Sequence, residues 1–452
     1  MCLKISNLYG QICVFNLNLC VMIKQGSFSS KKSLVTSFFI LLFVVGFQNS
    51  GYANNRILND TIGYNEYRGS VMDAKTKKTL EFATLLVNGT NISTITNKQG
   101  DFLLKVPKKM ASRQVTVSFL GYTSKVISLS DFDKDNTIVR LETYIEELSE
   151  VKINMKDATT LVQEMLKRKG DNYYNNDLKM TSFYRETIKK RRSYVSLSEA
   201  VVEIYKQPYT TDKSDILAIY KARKSTDYNK LDTVAFKLRG GPFNTLYIDI
   251  MKNTAMIFDE DMVDIYDFTF DNSTKIDNRL IHVVNFKQKK HLTDPLFYGK
   301  LYIDAKTLAL TNAKFYLNLE NKQKASKFFI IKKPKDADVL PIQAYYQVEY
   351  REKDGKWFYG YSRVELGFKI DWAKKWFNTI YYTTIEMAVT DWEKSDANQL
   401  PKPKDRLRPS VIMSDNTSGF KDPEFWGAYN VIEPDKPIES AIEKIKRQLK
   451  RN

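Results

Sequence analysis

Gly69-Ser-Val-Met-Asp73, Ala83-Thr-Leu-Leu-Val-Asn-Gly-Thr90, Thr96-Asn-Lys-Gln-Gly-Asp-Phe102 and Ser118-Phe-Leu-Gly-Tyr122 follow one another in a single stretch of the chain. Each segment alternates or runs apolar over a few residues and ends in turn residues, the signature of a strand. Leu85 and Val87 fall on one face of their strand and Leu86 on the other. Asn88-Gly89 signals a hairpin, because both residues tolerate positive φ. Asn97-Lys-Gln-Gly100 makes a second turn. Phe102, Leu104 and Val106 then recur at period two, and Val115, Val117 and Phe119 repeat the pattern. Gly121 before Tyr122 indicates a bulge or tight corner. Six or seven strands in about 75 residues predict one small antiparallel β-sandwich.

These residues resemble the carboxypeptidase regulatory-like domain, a transthyretin-like sandwich, over Tyr67 to Leu141. Gly-x-Val-x-Asp, the Asn-Gly-Thr hairpin, Thr-Asn-x-x-Gly-x-Phe and the Gly-Tyr corner occur in the family's order. The resemblance implies an accessory fold at the N-terminus of an envelope protein similar to those of Bacteroidota, and it implies no peptidase chemistry. The module is expected to span residues 65–153, with Val151–Ile153 closing it.

At 452 residues the chain is long enough for two or three domains. Residues 1–53 are read as a secretory signal: Lys31 and Lys32 precede an apolar run, Ser33–Phe47, and Gly51-Tyr-Ala53 offers small residues for cleavage. The run is short for a membrane span, with an uncleaved anchor as the alternative. Met22 is a plausible start. Residues 54–64 form a linker. Cys2, Cys13 and Cys20 all precede the apolar run, so the mature chain is expected to lack disulfides, thiol nucleophiles, cysteine metal sites and a lipidated cysteine. Export to the periplasm or outer membrane, without an integral span in the mature chain, is the expectation. Without the four Lys of residues 1–53 the net charge falls from +17 to +13. The excess is spread over Lys105–Arg113, Lys189–Arg192, Lys287–Lys290, Lys332–Lys335 and Lys444–Arg451. No nucleic-acid motif accompanies it, so anionic lipid headgroups or acidic glycans suit it better than nucleic acid, and solvated sheet faces explain much of it.

Residues 154–395 read as a β-rich domain. Asp157 caps a leading helix, 157–169, with Leu161, Val162, Met165 and Leu166 on one face and Gly170 at its end. Strands are predicted at Thr181–Lys189, Tyr194–Tyr205, Ala255–Phe258, Asp264–Phe270, Arg279–Phe286, Gly299–Ile303, Leu308–Leu319, Lys327–Lys332, Gln343–Arg351, Phe358–Ile370 and Thr379–Val389. Asp304-Ala-Lys-Thr307 makes a turn between two of them. The fold class is therefore mainly β: the sandwich plus a large curved antiparallel sheet or half-barrel, with a few helices. Residues 396–452 form a C-terminal extension with an amphipathic helix, 437–450, whose Ile438, Ala441, Ile442, Ile445 and Leu449 share a face. That helix packs on its own sheet or, alternatively, on a membrane surface or partner.

Phe183-Tyr-Arg-Glu186 with Tyr194-Val-Ser-Leu-Ser-Glu-Ala200, then Gly299-Lys-Leu-Tyr-Ile-Asp304, then Phe425-Trp-Gly-Ala-Tyr-Asn-Val-Ile432 resemble exported Bacteroidota proteins that pair the sandwich with an uncharacterised β-rich domain. Gly299–Asp304 is also similar to the curved sheets of periplasmic lipoprotein carriers over a few strands.

Few residues suggest chemistry. Neither His282, in a strand pattern, nor His291, in a basic loop, starts a His-x-x-Glu zinc motif, and no Gly-x-Ser-x-Gly elbow accompanies them. Asp131-Phe-Asp-Lys-Asp135 with Glu142 mimics a calcium loop, but its sixth position is Asn136 and Thr137–Leu141 reads as a strand. Asp259, Glu260, Asp261 and Asp264 read as loop charge. In Phe183-Tyr-Arg-Glu186, alternation puts Phe183 and Arg185 on one face and Tyr184 and Glu186 on the other, an Arg and a Glu in a structural role. Asp60-Thr-Ile62 and Asp232-Thr-Val234 match a Bacteroidota O-glycosylation pattern. No catalytic, cofactor-binding or metal-ligating residue is assigned, and no cofactor is expected.

Three functions remain open. The first is a non-enzymatic envelope protein whose sandwich docks and whose β-rich domain binds a lipid, glycan or outer-membrane partner. The second is a carboxylate-based hydrolase of envelope glycans. The third is a relative of TonB-dependent receptors lacking the barrel, given Leu148-Ser-Glu-Val-Lys-Ile153 and too short a remainder for plug and barrel.

Overall fold

A computed structural model describes residues 20–22, 63–133, 136–144, 157–226, 237–257, 263–276, 278–333, 335–374, 376–395, 399–413 and 425–451. Most of the segment read as a signal, both glycosylation triplets and Asp259–Asp261 lie outside the described residues. The described part of that segment is a short strand, β1 (Cys20–Met22).

Seven strands build the N-terminal module: β2 (Tyr64–Asp73), β3 (Thr84–Val87), β4 (Ser93–Ile95), β5 (Asp101–Pro107), β6 (Gln114–Ser118), β7 (Lys125–Ser128) and β8 (Thr137–Leu141). They form two sheets, ordered β5-β2-β8 and β4-β3-β6-β7. All pairs are antiparallel except β2 with β8, which run parallel. Val71, Leu85, Val87, Leu104, Val115 and Val117 are fully buried between the sheets, the inward half of each period-two pattern. The Asn88-Gly89 signal marks a wider loop than a two-residue turn: Val87 N–H reaches the Ile92 carbonyl at 2.9 Å. Asn97 organises the next turn by accepting from the backbone N–H groups of Gln99 (2.8 Å) and Asp101 (2.9 Å). Gly100 there has φ +78°, and a Cβ would lie 2.8 Å from the Val71 carbonyl oxygen, so glycine is required. Two ends of the quoted stretch meet at Asp73, which accepts from the Thr76 N–H (2.5 Å) and the Tyr122 hydroxyl (2.9 Å). The Thr76 N–H is the main force holding the Asp73 carboxyl below its ordinary range. Burial, then Asp73, pushes Tyr122 up to about 12.

α1 (Ala158–Lys167) starts as expected, with the Asp157 carboxylate accepting from Thr160 N–H at 2.7 Å. It stops at Lys167, and Gly170 lies inside a second short helix, α2 (Lys169–Asn172). The β-rich domain is a ten-stranded antiparallel sheet. Its strands are β9 (Leu178–Lys190), β10 (Ser193–Lys206), β11 (Ile216–Thr226), β13 (Tyr266–Ile276), β14 (Arg279–Gln288), β15 (Phe297–Asp304), β16 (Leu310–Leu317), β18 (Ala337–Lys353), β19 (Lys356–Trp372) and β20 (Thr379–Lys394). Their order is β11-β10-β9-β20-β19-β18-β16-β15-β14-β13, so the sheet is open and not closed into a barrel. β12 (Lys237–Arg239) and β17 (Ile330–Lys332) pair with β1 in a separate small sheet. The expected turn after β15 is an Asx turn, Asp304 accepting from Lys306 and Thr307 N–H.

Two expected strands differ. Of Lys327–Lys332, the second half is strand β17, but Lys327–Phe329 ends a helix, α4 (Lys322–Phe329), because Asn321 caps it through Lys324 N–H (2.9 Å) and Ala325 and Phe329 bury one face four residues apart. Ala255–Phe258 gives way to a 3-10 turn, Thr254–Met256. Besides these, β11 and a short α3 (Phe243–Tyr247) carry no clear pattern. β11 is an edge strand rich in Lys and Ala, whose half-buried residues blur the alternation.

One face of the large sheet packs under α1, α3, α4 and the connections around them, in a core that includes Tyr184, Phe315, Tyr346, Tyr359 and Phe368, all fully buried. The other face meets the sandwich. α5 (Lys436–Arg451) sets Ile438 and Ile442 against Leu197 and Tyr194 of β10, its own sheet as expected.

Candidate functional site

Arg185 lies on the sandwich-facing side of β9, as alternation requires, and Phe183 joins it in the cluster of residues between the modules. Strand pairing then does what no local motif announces. Arg223 of β11 lies opposite Glu199 of β10, Glu199 opposite Arg185, Arg185 opposite Glu386 of β20, and Glu386 opposite Arg363 of β19. Five neighbouring strands thus carry a ladder of alternating charge. Arg185 Nε donates to Glu199 at 2.7 Å and its Nη1 to Glu386 at 3.4 Å. Arg223 Nε donates to the other Glu199 oxygen at 2.7 Å. Arg363 bridges Glu386 (2.9 Å) and Glu365 (2.8 Å). Burial alone would push the Glu199 carboxyl up, but Arg223 and Arg185 override it and hold it below the ordinary range. Burial likewise opposes the Arg185 charge, and Glu199 with Glu386 outweighs that opposition.

The sandwich and the C-terminal extension close over the ladder. Arg185 Nη2 donates to the Ile432 carbonyl at 2.7 Å. Trp426 stands edge-on to Phe183 (5.4 Å between centroids) with the Arg223 guanidinium 4.8 Å from its ring. Asn430 both accepts from Lys105 N–H (2.7 Å) and donates to Lys105 C=O (3.0 Å), which covers the edge of β5. From the sandwich, Phe82 takes φ +65°, a conformation costly for a bulky residue. It lies sandwiched, its ring stacked on Tyr361 at 5.4 Å and the Arg363 guanidinium 4.9 Å away.

Where these parts meet, a cleft of about 50 Å³ remains, lined by Asn97 and Lys98 of the sandwich turn, Arg185, Lys189 and Arg363 of the sheet, and Asp435 at the start of α5. On this measure it has room for about four waters or one small oxyanion. Asp435 accepts from Ile438 N–H at 2.8 Å as the cap of α5, and Glu386 is bound to two arginines. Lys189 differs. Its ammonium lies 4.3 Å from the Tyr194 ring centroid, and among the described residues it has no ion-pair partner. Burial lowers its pKa. The cleft therefore carries a half-buried cation that an anionic group would stabilise.

The other sequence candidates stay apart from this cleft. Glu186 points to the opposite face and accepts from Tyr184 at 2.9 Å. His282 is a buried residue of β14, its pKa lowered by burial, and His291 lies in an exposed loop. Asp131 ends a 3-10 turn and Thr137–Leu141 is β8; Lys134 and Asp135 lie outside the described residues. Asp264 lies in a 3-10 turn. Sequence reading missed Glu199, Arg223, Arg363, Glu386 and Lys189 as partners, which the order β11-β10-β9-β20-β19 brings together. A second buried network was also missed: Lys206 Nζ lies 2.6 Å from Asp215 and 2.7 Å from Asp249, and Tyr350 donates to Asp249 at 2.8 Å.

The fold and junction define a class: a mainly β protein in which an accessory sandwich is fastened to a large open sheet. Residues 67–153 match the family model of the CarboxypepD_reg-like domain, so the sandwich is such a domain. No curated protein matches the sequence. Solved structures similar to this chain include a DUF1329 family protein from Desulfovibrio piger ATCC 29098 (13% identity, 54% of this chain and 95% of that one, TM-score 0.23). A LolA superfamily protein from Nitrosomonas europaea aligns at 10% identity over 55% of this chain and 96% of that one, TM-score 0.22. A structure of lipid–protein interactions in lipovitellin aligns at 8% identity over 56% and 29%, TM-score 0.26. At such TM-scores the alignments carry no function across. No helix among the described residues is long and apolar enough to cross a membrane.

Proposed function

We propose that this chain is an exported envelope protein of the Bacteroidota type, periplasmic or outer-membrane associated, that binds its ligand without transforming it. In this reading the sandwich and the Phe425–Ile432 segment fasten onto the sheet, and the junction cleft recognises a phosphate or carboxylate carried by a lipid headgroup or a glycan. The observation that carries the reading is Lys189, a half-buried cation without an ion-pair partner among the described residues, lining a polar cleft in which Arg185, Arg363 and Glu386 already pair with one another. The ladder supports binding over catalysis, because Arg223, Arg185 and Arg363 are balanced by Glu199, Glu386 and Glu365. The packed core under the sheet favours a headgroup over an acyl chain, since its aromatic side chains fill the space such a chain would need.

Titration with short-chain phosphatidylglycerol and with an oligosaccharide containing glucuronic acid tests this. One of them should bind, and Lys189→Met should weaken it by about 10–100-fold, the value of one charge-assisted hydrogen bond. Binding unaffected by Lys189→Met, or no binding of either, would overturn it.

A further inference from the structure

The pairing that builds the ladder also gathers three basic runs at one end of the sheet. The β9–β10 hairpin carries Lys190-Arg191-Arg192. Beside it, the β19–β20 hairpin carries Lys374-Lys375-Trp376-Phe377, and the entry to β18 carries Lys333 and Lys335. Backbone bonds fix their proximity: Arg191 N–H to Ile380 C=O at 2.8 Å, and Ala373 N–H to Asp336 C=O at 2.9 Å. The Arg191 guanidinium also reaches the Asn378 carbonyl at 3.4 Å.

At the tip, Trp376 is 98% exposed and Phe377 79%. Among the described residues the next large apolar side chain, Val126, is 53% exposed. Adjacent Trp and Phe this bare suggest an interaction surface. Three acidic residues share this end. Asp338 is held by Lys333 at 2.6 Å and Asp371 by Lys369 at 2.9 Å, and Asp336 is exposed. Six described Lys and Arg in the three runs outnumber them.

We propose that this end of the sheet docks on an anionic bilayer surface. Trp376 and Phe377 enter the headgroup region, and the basic runs face the acidic lipids around them. The tip projects where a protein groove would need depth, and Trp is favoured at the membrane–water boundary. Cations clustered beside an inserting apolar tip match a negatively charged leaflet. The surface is independent of the cleft, since neither Trp376 nor Phe377 lines it.

The test uses the full chain with vesicles of phosphatidylcholine, with or without phosphatidylglycerol, and brominated acyl chains as fluorescence quenchers. Because Ser33–Phe47 could hold any variant on a vesicle, the readout is quenching of Trp376. Quenching should be strong with phosphatidylglycerol and several-fold weaker without it. Trp376→Phe should remove it while keeping membrane association. Phe377→Ser, which keeps Trp376, should weaken its quenching on the acidic vesicles several-fold. Both side chains are exposed, so both variants should keep the parent's melting temperature. Quenching that persists in Trp376→Phe, or is equal on both vesicle types, would overturn the proposal, as would no quenching at all.

Discussion

Glu186 and Arg185 are neighbours in β9, and the pleat gives them opposite surroundings. Arg185 has two carboxylates; among the described residues Glu186 has only the Tyr184 hydroxyl, and burial pushes its pKa from 4.5 to about 7. The folded chain therefore keeps a proton on Glu186 that the unfolded chain releases near pH 4.5. Its contribution is complete below pH 4.5 and is lost as pH rises toward and through 7, a change of roughly 3 kcal/mol. Glu186→Gln should flatten the pH dependence of unfolding free energy over this window, matching the parent at pH 4.5 and exceeding it at pH 8. Parallel curves for the two proteins would contradict this. Lys206 is the converse case, a fully buried ammonium between Asp215 and Asp249. Lys206→Met should cost about 3–5 kcal/mol in chemical denaturation, because it strands two buried carboxylates. A loss below about 1 kcal/mol would contradict this.

Among the elements, the segment from Phe425 to Ile432 has the most consequence for its length. It has no regular structure, yet Trp426, Asn430 and Ile432 each bind a different part of the junction. Asn430→Ala removes two buried hydrogen bonds to the Lys105 backbone and should destabilise the protein by about 2–4 kcal/mol, read by denaturant midpoint. An unchanged midpoint would show water replacing the side chain. The sequence made the sandwich legible because its turns are local: Asp73, Asn97 and Gly100 act on neighbours a few residues away. Most long strands were legible for the same reason. α4 was misread because Phe328-Phe-Ile-Ile331 looks like a strand, while its cap Asn321 lies further upstream.

For the whole molecule, the junction was illegible in principle. Its ladder joins residues up to two hundred positions apart, and strand order, which no single segment encodes, sets which side chains lie opposite. The alternation of Arg185 and Glu186 between faces could be read locally, but not that Glu199 and Glu386 flank the arginine. The same pairing places Lys189 in a cleft between modules and brings the basic runs together at one end. The most direct measurement is native mass spectrometry of the protein purified from its native cells, beside Lys189→Met prepared in the same way. A co-purifying species bearing phosphate or carboxylate, present on the parent and depleted at least tenfold on Lys189→Met, is the expected result. An identical set of bound species on both proteins, or none on either, would contradict an anion-binding junction.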